Sequence, residues 1–252
     1  MKKLILAAAM ALAAPLPADA DTLKICFEDW APFHSIEGGK PAGIQIELTD
    51  RALAALGHDA AYSLMPYLDC IAAVTEGRQD AMLLTSGEEP LVPATVSTVF
   101  WEIGMVARPD WPEDRFESLA DFNGARVGMI EGYVYPEAVD IAALDWTAVK
   151  GRQDILNLRA AAAGKLDLIV IDVPWALRKA REEGLKVKAL EPRLTSTPQY
   201  TYFNPDRAAL GPALGAELQK LIADGTVNAI YERETGMPFS AVQARAGQTL
   251  LD

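Results

Sequence analysis

An α/β fold built around parallel strands is predicted by three observations. Short apolar runs with strand character alternate with segments of helical period along most of the chain. Glycines at positions 57, 77 and 164 sit just past the expected helix ends. One strand-entry pattern also occurs twice, as Glu76-Gly77-Arg78-Gln79-Asp80-Ala81-Met82-Leu83 and as Ala163-Gly164-Lys165-Leu166-Asp167-Leu168-Ile169-Val170. Each copy reads helix, Gly, basic residue, one spacer, Asp, apolar strand. The duplication predicts two similarly built lobes rather than one long sheet.

Taken in order, residues 23–27 alternate and predict a first strand, ending in the loop Glu28-Asp29-Trp30-Ala31-Pro32-Phe33. Gly38-Gly39-Lys40-Pro41 predicts a turn. Apolar residues at helical spacing (Ile44, Leu48, Ala52, Ala55) predict a helix over 44–56 that Gly57 stops. A strand over 60–65, a short helix over 67–76 and a buried strand over 80–84 follow. Residues 100–107 are strand-like, and Arg108-Pro109-Asp110-Trp111-Pro112 reads as a rigid linker. A helical turn at 118–122 leads to a strand at 125–130, a helix at 152–163 and a very apolar strand at 166–171. A helix over 173–183, strands over 185–190 and 199–203, and closing helices over 210–223 and 226–234 complete the pattern.

Residues 1–20 have the layout of an export signal. Lys2 and Lys3 precede an apolar run at 4–16 broken by Pro15, and Ala18-Asp19-Ala20 fits the small-x-small cleavage pattern. The run is too short to span a bilayer; an uncleaved N-terminal anchor is the alternative. A soluble periplasmic protein beginning at Asp21, cut after Ala20, is expected. The formal charge is −12 over 252 residues and becomes one unit more negative once 1–20 are removed. So acidic a chain is repelled by nucleic acid and by anionic membranes. Cys26 and Cys70 are the two cysteines; in an oxidising compartment an even pair predicts a disulfide, with two buried thiols as the alternative. His34 and His58 are the only histidines, and no CxxC or HxxxH spacing occurs. No metal and no cofactor are expected, and each His reads as an ordinary surface or loop residue.

The order of the pieces resembles the bacterial extracellular solute-binding proteins of family 3, the amino-acid-binding type of periplasmic receptor of ABC transporters. The residues that carry the resemblance include Leu23-Lys24-Ile25, Trp30-Ala31-Pro32-Phe33 and Gly39-Lys40-Pro41-Ala42-Gly43-Ile44. They continue with the two strand-entry copies, Leu119-Ala120-Asp121-Phe122-Asn123-Gly124-Ala125-Arg126-Val127-Gly128 and Ala223-Asp224-Gly225-Thr226. The resemblance implies a two-lobed periplasmic binding protein fold of type II with two hinge strands, near 105–108 and 199–202. Residues 21–106 and 202–252 would form one lobe and 107–201 the other. It implies a monomer that captures a solute between the lobes and delivers it to the membrane permease of an ABC transporter.

The resemblance also places a cleft. Trp30 and Tyr67 would flank the ligand, with Thr85, Ser86 and Gly87 facing it from the first lobe. Glu131, Gly132 and Tyr133 would approach from the second, where backbone N–H groups at a strand-to-helix junction can hold an anion. Asp172 matches the carboxylate that receives a ligand ammonium. Each has a plainer reading: Trp30 as a cap on the core, Tyr133 and Tyr135 as surface aromatics, Asp172 as the N-cap of the helix at 173–183. Trp175 reads as core.

The chain departs from the family pattern in one telling way. An Arg is expected a few residues after Thr85-Ser86 to grip a ligand carboxylate, yet the chain reads Gly87-Glu88-Glu89-Pro90-Leu91-Val92. Arg108 is the nearest substitute by sequence. A standard α-amino acid is disfavoured, because its carboxylate would enter an acidic site unpaired. A small polar or amine-type solute is expected instead. Two alternatives stay open: a cyclohexadienyl-dehydratase-like enzyme on the same fold, and an accessory or sensory partner of a periplasmic oxidoreductase system. With two His and a cysteine pair expected to be oxidised, nucleophilic catalysis lacks its parts.

Overall fold

The computed structural model describes residues 21–87, 89–130, 135–140, 145–149 and 154–251. The expected export signal, Glu88 and the predicted site residues Glu131, Gly132 and Tyr133 lie outside the described residues. Among the described residues no helix is long and apolar enough to cross a membrane.

The chain begins with β1 (Thr22–Phe27), the hairpin β2 (Ser35–Glu37) and β3 (Lys40–Ala42), α1 (Ile44–Ala55), β4 (Asp59–Leu64), α2 (Tyr67–Thr75) and β5 (Ala81–Thr85). After the short β6 (Val92–Pro93) comes β7 (Val99–Ala107). The second half contains β8 (Arg126–Ile130), α3 (Glu137–Asp140), β9 (Asp145–Val149), α4 (Asp154–Ala162), β10 (Leu168–Asp172), α5 (Val173–Glu183) and β11 (Lys188–Ala189). The chain returns through β12 (Thr195–Phe203) and closes with α6 (Leu210–Ala223), α7 (Thr226–Thr235) and α8 (Phe239–Ala246).

The sheet order is β4-β1-β5-β12-β7-β10-β8-β9. At one end β1 runs parallel to β4 and β5; at the other β8 runs parallel to β9 and β10. The two parallel groups meet through the antiparallel pair β7 and β12. Residues Thr195–Gln199 of β12 pair with β7, whereas Tyr200, Tyr202 and Phe203 pair with β5. A single strand thus passes from one parallel group to the other at Gln199–Tyr200.

The buried apolar residues form separate cores on the two sides of this crossing. Leu23, Ile25, Leu48 and Leu53 pack with Leu214 and Tyr231 in the first lobe. Met105, Val127, Leu168 and Val170 pack together in the second, and Leu158, Ile169 and Ala176 cover the opposite face of its sheet. Along β7 the core changes between Val99 and Ile103. The hinge expected near 105–108 lies at the end of this same strand. Leu250 and Leu251 also pack against the second core. Their N–H groups donate to the carbonyls of Arg193 and Leu194 at 2.8 and 3.0 Å.

The duplicated sequence pattern performs the same task twice. Asp80 N–H donates to Lys24 O at 2.8 Å, and Lys24 N–H returns a bond to Asp80 Oδ2 at 2.8 Å. In the second lobe Asp167 N–H donates to Arg126 O at 2.9 Å, and Arg126 N–H donates to Asp167 Oδ2 at 2.9 Å. Each Asp therefore fixes its buried strand against the parallel neighbour. The preceding Gly77 and Gly164 take φ values of 73° and 67°, the left-handed helix end expected of glycine.

Cys26 on β1 and Cys70 on α2 form a disulfide with Cα atoms 5.7 Å apart. It fastens α2 to the sheet one helical turn after Tyr67, so the bond and the position of that ring are linked. Closing the loop between the cysteines restricts the unfolded chain. The Cys26→Ser/Cys70→Ser double variant is expected to lose about 4 kcal/mol of stability, read by chemical denaturation with and without reductant. Equal stability of the variant and the oxidised parent would contradict this role.

Candidate functional site

The loop after β1 is built to present Trp30. Trp30 N–H donates to His34 O at 2.8 Å, and Phe33 N–H and His34 N–H donate back to Trp30 O at 2.9 and 3.1 Å. The first turn of α1 then captures the loop carbonyls: Ile44 N–H donates to Pro32 O at 3.0 Å and Gln45 N–H to Phe33 O at 2.8 Å. These are N–H groups that a helix start leaves without intrahelical partners. The approach requires Gly43, which has φ 116° and whose added Cβ would stand 2.5 Å from Phe33 O. His34 lies in this loop, as expected, but at 1% exposure it is buried rather than at the surface. Its Nδ1 lies 2.6 Å from Glu28 O, and burial pushes the imidazole down to about 4 despite that bond.

From the second lobe, the apolar strand β10 ends at Asp172, which caps α5. Asp172 Oδ1 accepts from Trp175 N–H at 2.8 Å, with Pro174 in the first turn. Its other oxygen, Oδ2, accepts from Trp30 Nε1 at 3.2 Å, joining the two lobes across the cleft. Burial pushes the Asp172 carboxyl up to about 7, and the Glu102 and Asp154 carboxylates add to the rise against the pull of the two hydrogen bonds. The Glu102 charge is itself held by Arg245, at 2.7 and 2.8 Å.

Around this contact lies a cavity of about 470 Å³. Trp30, Tyr67, Thr85 and Ser86 line it from the first lobe and Asp172 from the second. Tyr67 OH and Thr85 Oγ1 are 2.7 Å apart. Thr85 is aimed by an irregularity: β5 places three residue steps between Met82 and Thr85 where β12 places two between Tyr202 and Tyr200. The extra residue leaves Leu84 at φ 50°, a left-handed conformation that disfavours a leucine by about 1–2 kcal/mol.

Residues 23–237 match the family described as bacterial extracellular solute-binding proteins, family 3. The chain belongs to that family. Solved structures agree on the fold. The L-cystine solute receptor of Neisseria gonorrhoeae, in its unliganded open conformation, is 19% identical with a TM-score of 0.72, over 88% of this chain and 95% of that one. The probable amino-acid ABC transporter extracellular-binding protein ytmK of Bacillus subtilis is 15% identical with a TM-score of 0.74, over 86% and 99%. A histidine kinase sensor domain similar to periplasmic binding proteins is 22% identical with a TM-score of 0.65, over 87% and 98%. At these identities the likeness is one of fold. None of the curated proteins compared with the chain matches it.

Within this family 3 chain, five of the sequence-selected residues thus share one cavity. Gly87 follows Ser86 directly but is not among the lining residues, and Glu131, Gly132 and Tyr133 lie outside the described residues. The structure adds residues that sequence reasoning passed over. Trp101 and Gln199 line the cavity from the two crossing strands, and Asp154 lines it from the start of α4. Trp175, expected in the core, lines the cavity as well as packing beside the second lobe's apolar residues. Tyr135 also lines it. In the structure Trp101 stands out as a large ring, 38% exposed, on a mostly buried strand.

Arg108 does not replace the missing arginine. It pairs with Asp110 and Asp167 and lies over the Trp111 ring at 5.8 Å. Its neighbour Ala107 pairs with Leu168, at the opposite end of β10 from Asp172, which is about 13 Å away along the strand. Among the described residues that line the cavity, Glu28, Asp29, Asp154 and Asp172 are acidic and none is Lys or Arg. No group of three or more His, Cys, Asp and Glu among the described residues is arranged as metal ligands.

The Asp172 shift has a definite stability signature. A carboxyl raised to about 7 when folded holds its proton over a range where the unfolded chain has released it. Its ionisation therefore removes stability as pH rises from about 4 to about 7. His34 acts in the opposite sense, its low folded value favouring the native state as pH rises from about 4 to 6.5. Asp172→Asn keeps a capping side chain and abolishes the first effect alone. The variant is expected to gain stability relative to the parent across pH 4–7, by a few kcal/mol at most, and to run parallel above it. A constant difference across that range, by chemical denaturation at several pH values, would contradict the assignment.

Proposed function

We propose that this family 3 protein is a periplasmic receptor that closes on a small cationic, amine-type solute and delivers it to the permease of an ABC transporter. One observation carries the reading: among the described residues, the cavity walls offer carboxylates and aromatic rings and no cation. An ammonium ion is stabilised by both, whereas a ligand carboxylate meets only like charge. The volume, about 470 Å³, is within the range of small-molecule sites.

Closure uses the crossing strands β7 and β12 as the hinge. Trp30 and Asp172 meet across the cleft, and Arg178 of α5 pairs with Glu37 and Glu234 of the first lobe. A solute that touches both walls adds to these contacts, and the joined form is the one a permease would recognise. Residues 1–20 would direct export and be cut after Ala20.

A second reading has one observation in its favour. A cleft carboxyl raised to about 7 is poised for proton transfer, as a dehydratase of cyclohexadienyl acids would need. The same wall lacks, among its described residues, a cation to hold the substrate's carboxylate. Product formation from prephenate or arogenate decides between the two.

Ammonium binding favours the ionised form of Asp172. Affinity for an amine solute is expected to rise with pH up to about 7 and then level off, falling about tenfold per unit below it. Asp172→Asn is expected to weaken binding at least about tenfold. Isothermal titration at pH 5, 6, 7 and 8 measures both effects. Micromolar binding of an ordinary zwitterionic amino acid, unchanged by Asp172→Asn, would overturn the proposal.

A further inference from the structure

We propose that the head group bound in this cavity is an N-methylated ammonium, tertiary or quaternary, rather than a primary amine. This rests on the amine-receptor reading above and narrows it. The first support is aromatic surface: three indoles (Trp30, Trp101, Trp175) and two phenols (Tyr67, Tyr135) line one cavity. Alkylated ammonium groups are held by aromatic faces, through cation–π attraction and burial of their methyl groups.

The second support is how the polar groups around Asp172 and Tyr67 are engaged. Trp30 Nε1 donates to Asp172 Oδ2, and Asp172 Oδ1 accepts from Trp175 N–H. Tyr67 OH and Thr85 Oγ1 bond to each other. The carboxylate is thereby fixed in place with each oxygen already accepting one bond. A primary ammonium arrives with three N–H donors, each of which must reach an acceptor such as Glu28, Asp29 or Asp154, and burying any that does not is unfavourable. A trimethylammonium head brings the same charge and no donors. It asks of the wall only negative charge and ring surface. Trp101, 38% exposed at the crossing between lobes, is free to lay its ring against such a head as the lobes close.

The test is titration calorimetry of the full, oxidised mature protein with three probes of similar size: choline, ethanolamine and the neutral 3,3-dimethyl-1-butanol. Choline is expected to bind at least about tenfold more tightly than either of the others. Trp101→Ala should weaken choline about tenfold while changing ethanolamine far less, with an unchanged unfolding midpoint showing that the fold is kept. Ethanolamine binding as tightly as choline, or more so, overturns the methylated head and leaves the amine receptor standing. Absence of choline binding at millimolar concentration also overturns it. If the neutral alcohol then binds while ethanolamine does not, the amine reading falls as well.

Discussion

The carboxylate of Asp172 is the constraint around which the two lobes are arranged. It ends the most apolar strand of the second lobe, caps the helix that follows, and accepts the indole N–H of Trp30 from the first lobe. Each bond favours the ionised form, yet burial and the acidic neighbours Glu102 and Asp154 outweigh them. The result is a buried charge without a full counter-charge. Such a group is unfavourable in the free protein and is relieved by a cationic guest. Under the proposed function, the same imbalance links fold, proton uptake and ligand choice.

The first lobe is organised to hold its half of this contact. Gln45 illustrates how few residues connect the loop, the helix and the hinge. Its N–H receives the loop through Phe33 O, while its side chain meets Thr49, Thr98 and Thr201 at 3.3, 2.8 and 3.4 Å. Thr98 precedes β7 and Thr201 lies on β12, so one buried amide spans from the Trp30 loop to both crossing strands. Tyr231 adds a bond to Thr98 O at 2.6 Å. Satisfied networks of this kind rigidify their surroundings. Against this fixed frame, the left-handed Leu84 stands out as local strain placed beside Thr85, where a side chain is turned toward the cavity.

Much of the architecture was legible in the sequence because it rests on local chemistry. The helix at Ile44–Ala55 follows from its apolar spacing, and α5 begins and ends where Asp172, Pro174 and Gly184 require. The duplicated Gly-basic-x-Asp entry identified two lobes because each Asp does the same pinning. The residues that escaped do so for nonlocal reasons. Val99, Ile103 and Met105 lie on one strand, β7, and only packing shows which core each joins. His34 reads as a surface or loop residue, and only the fold shows that it is buried beneath its loop. Trp101, Trp175 and Asp154 reach the cavity through strand crossing and helix placement, which no short motif encodes. The cavity residues that were legible, Trp30, Thr85 and Asp172, all lie at or just beyond strand ends, where ligands of α/β sheets bind.

The most direct measurement is the titration of the Asp172 carboxyl carbon by NMR in the free, oxidised protein, assigned by comparison with Asp172→Asn. A midpoint near 7 is expected. A midpoint in the ordinary aspartate range, near about 4, would mean that the carboxylate is solvated or already balanced by a cation, and the account built on its uncompensated charge would fail.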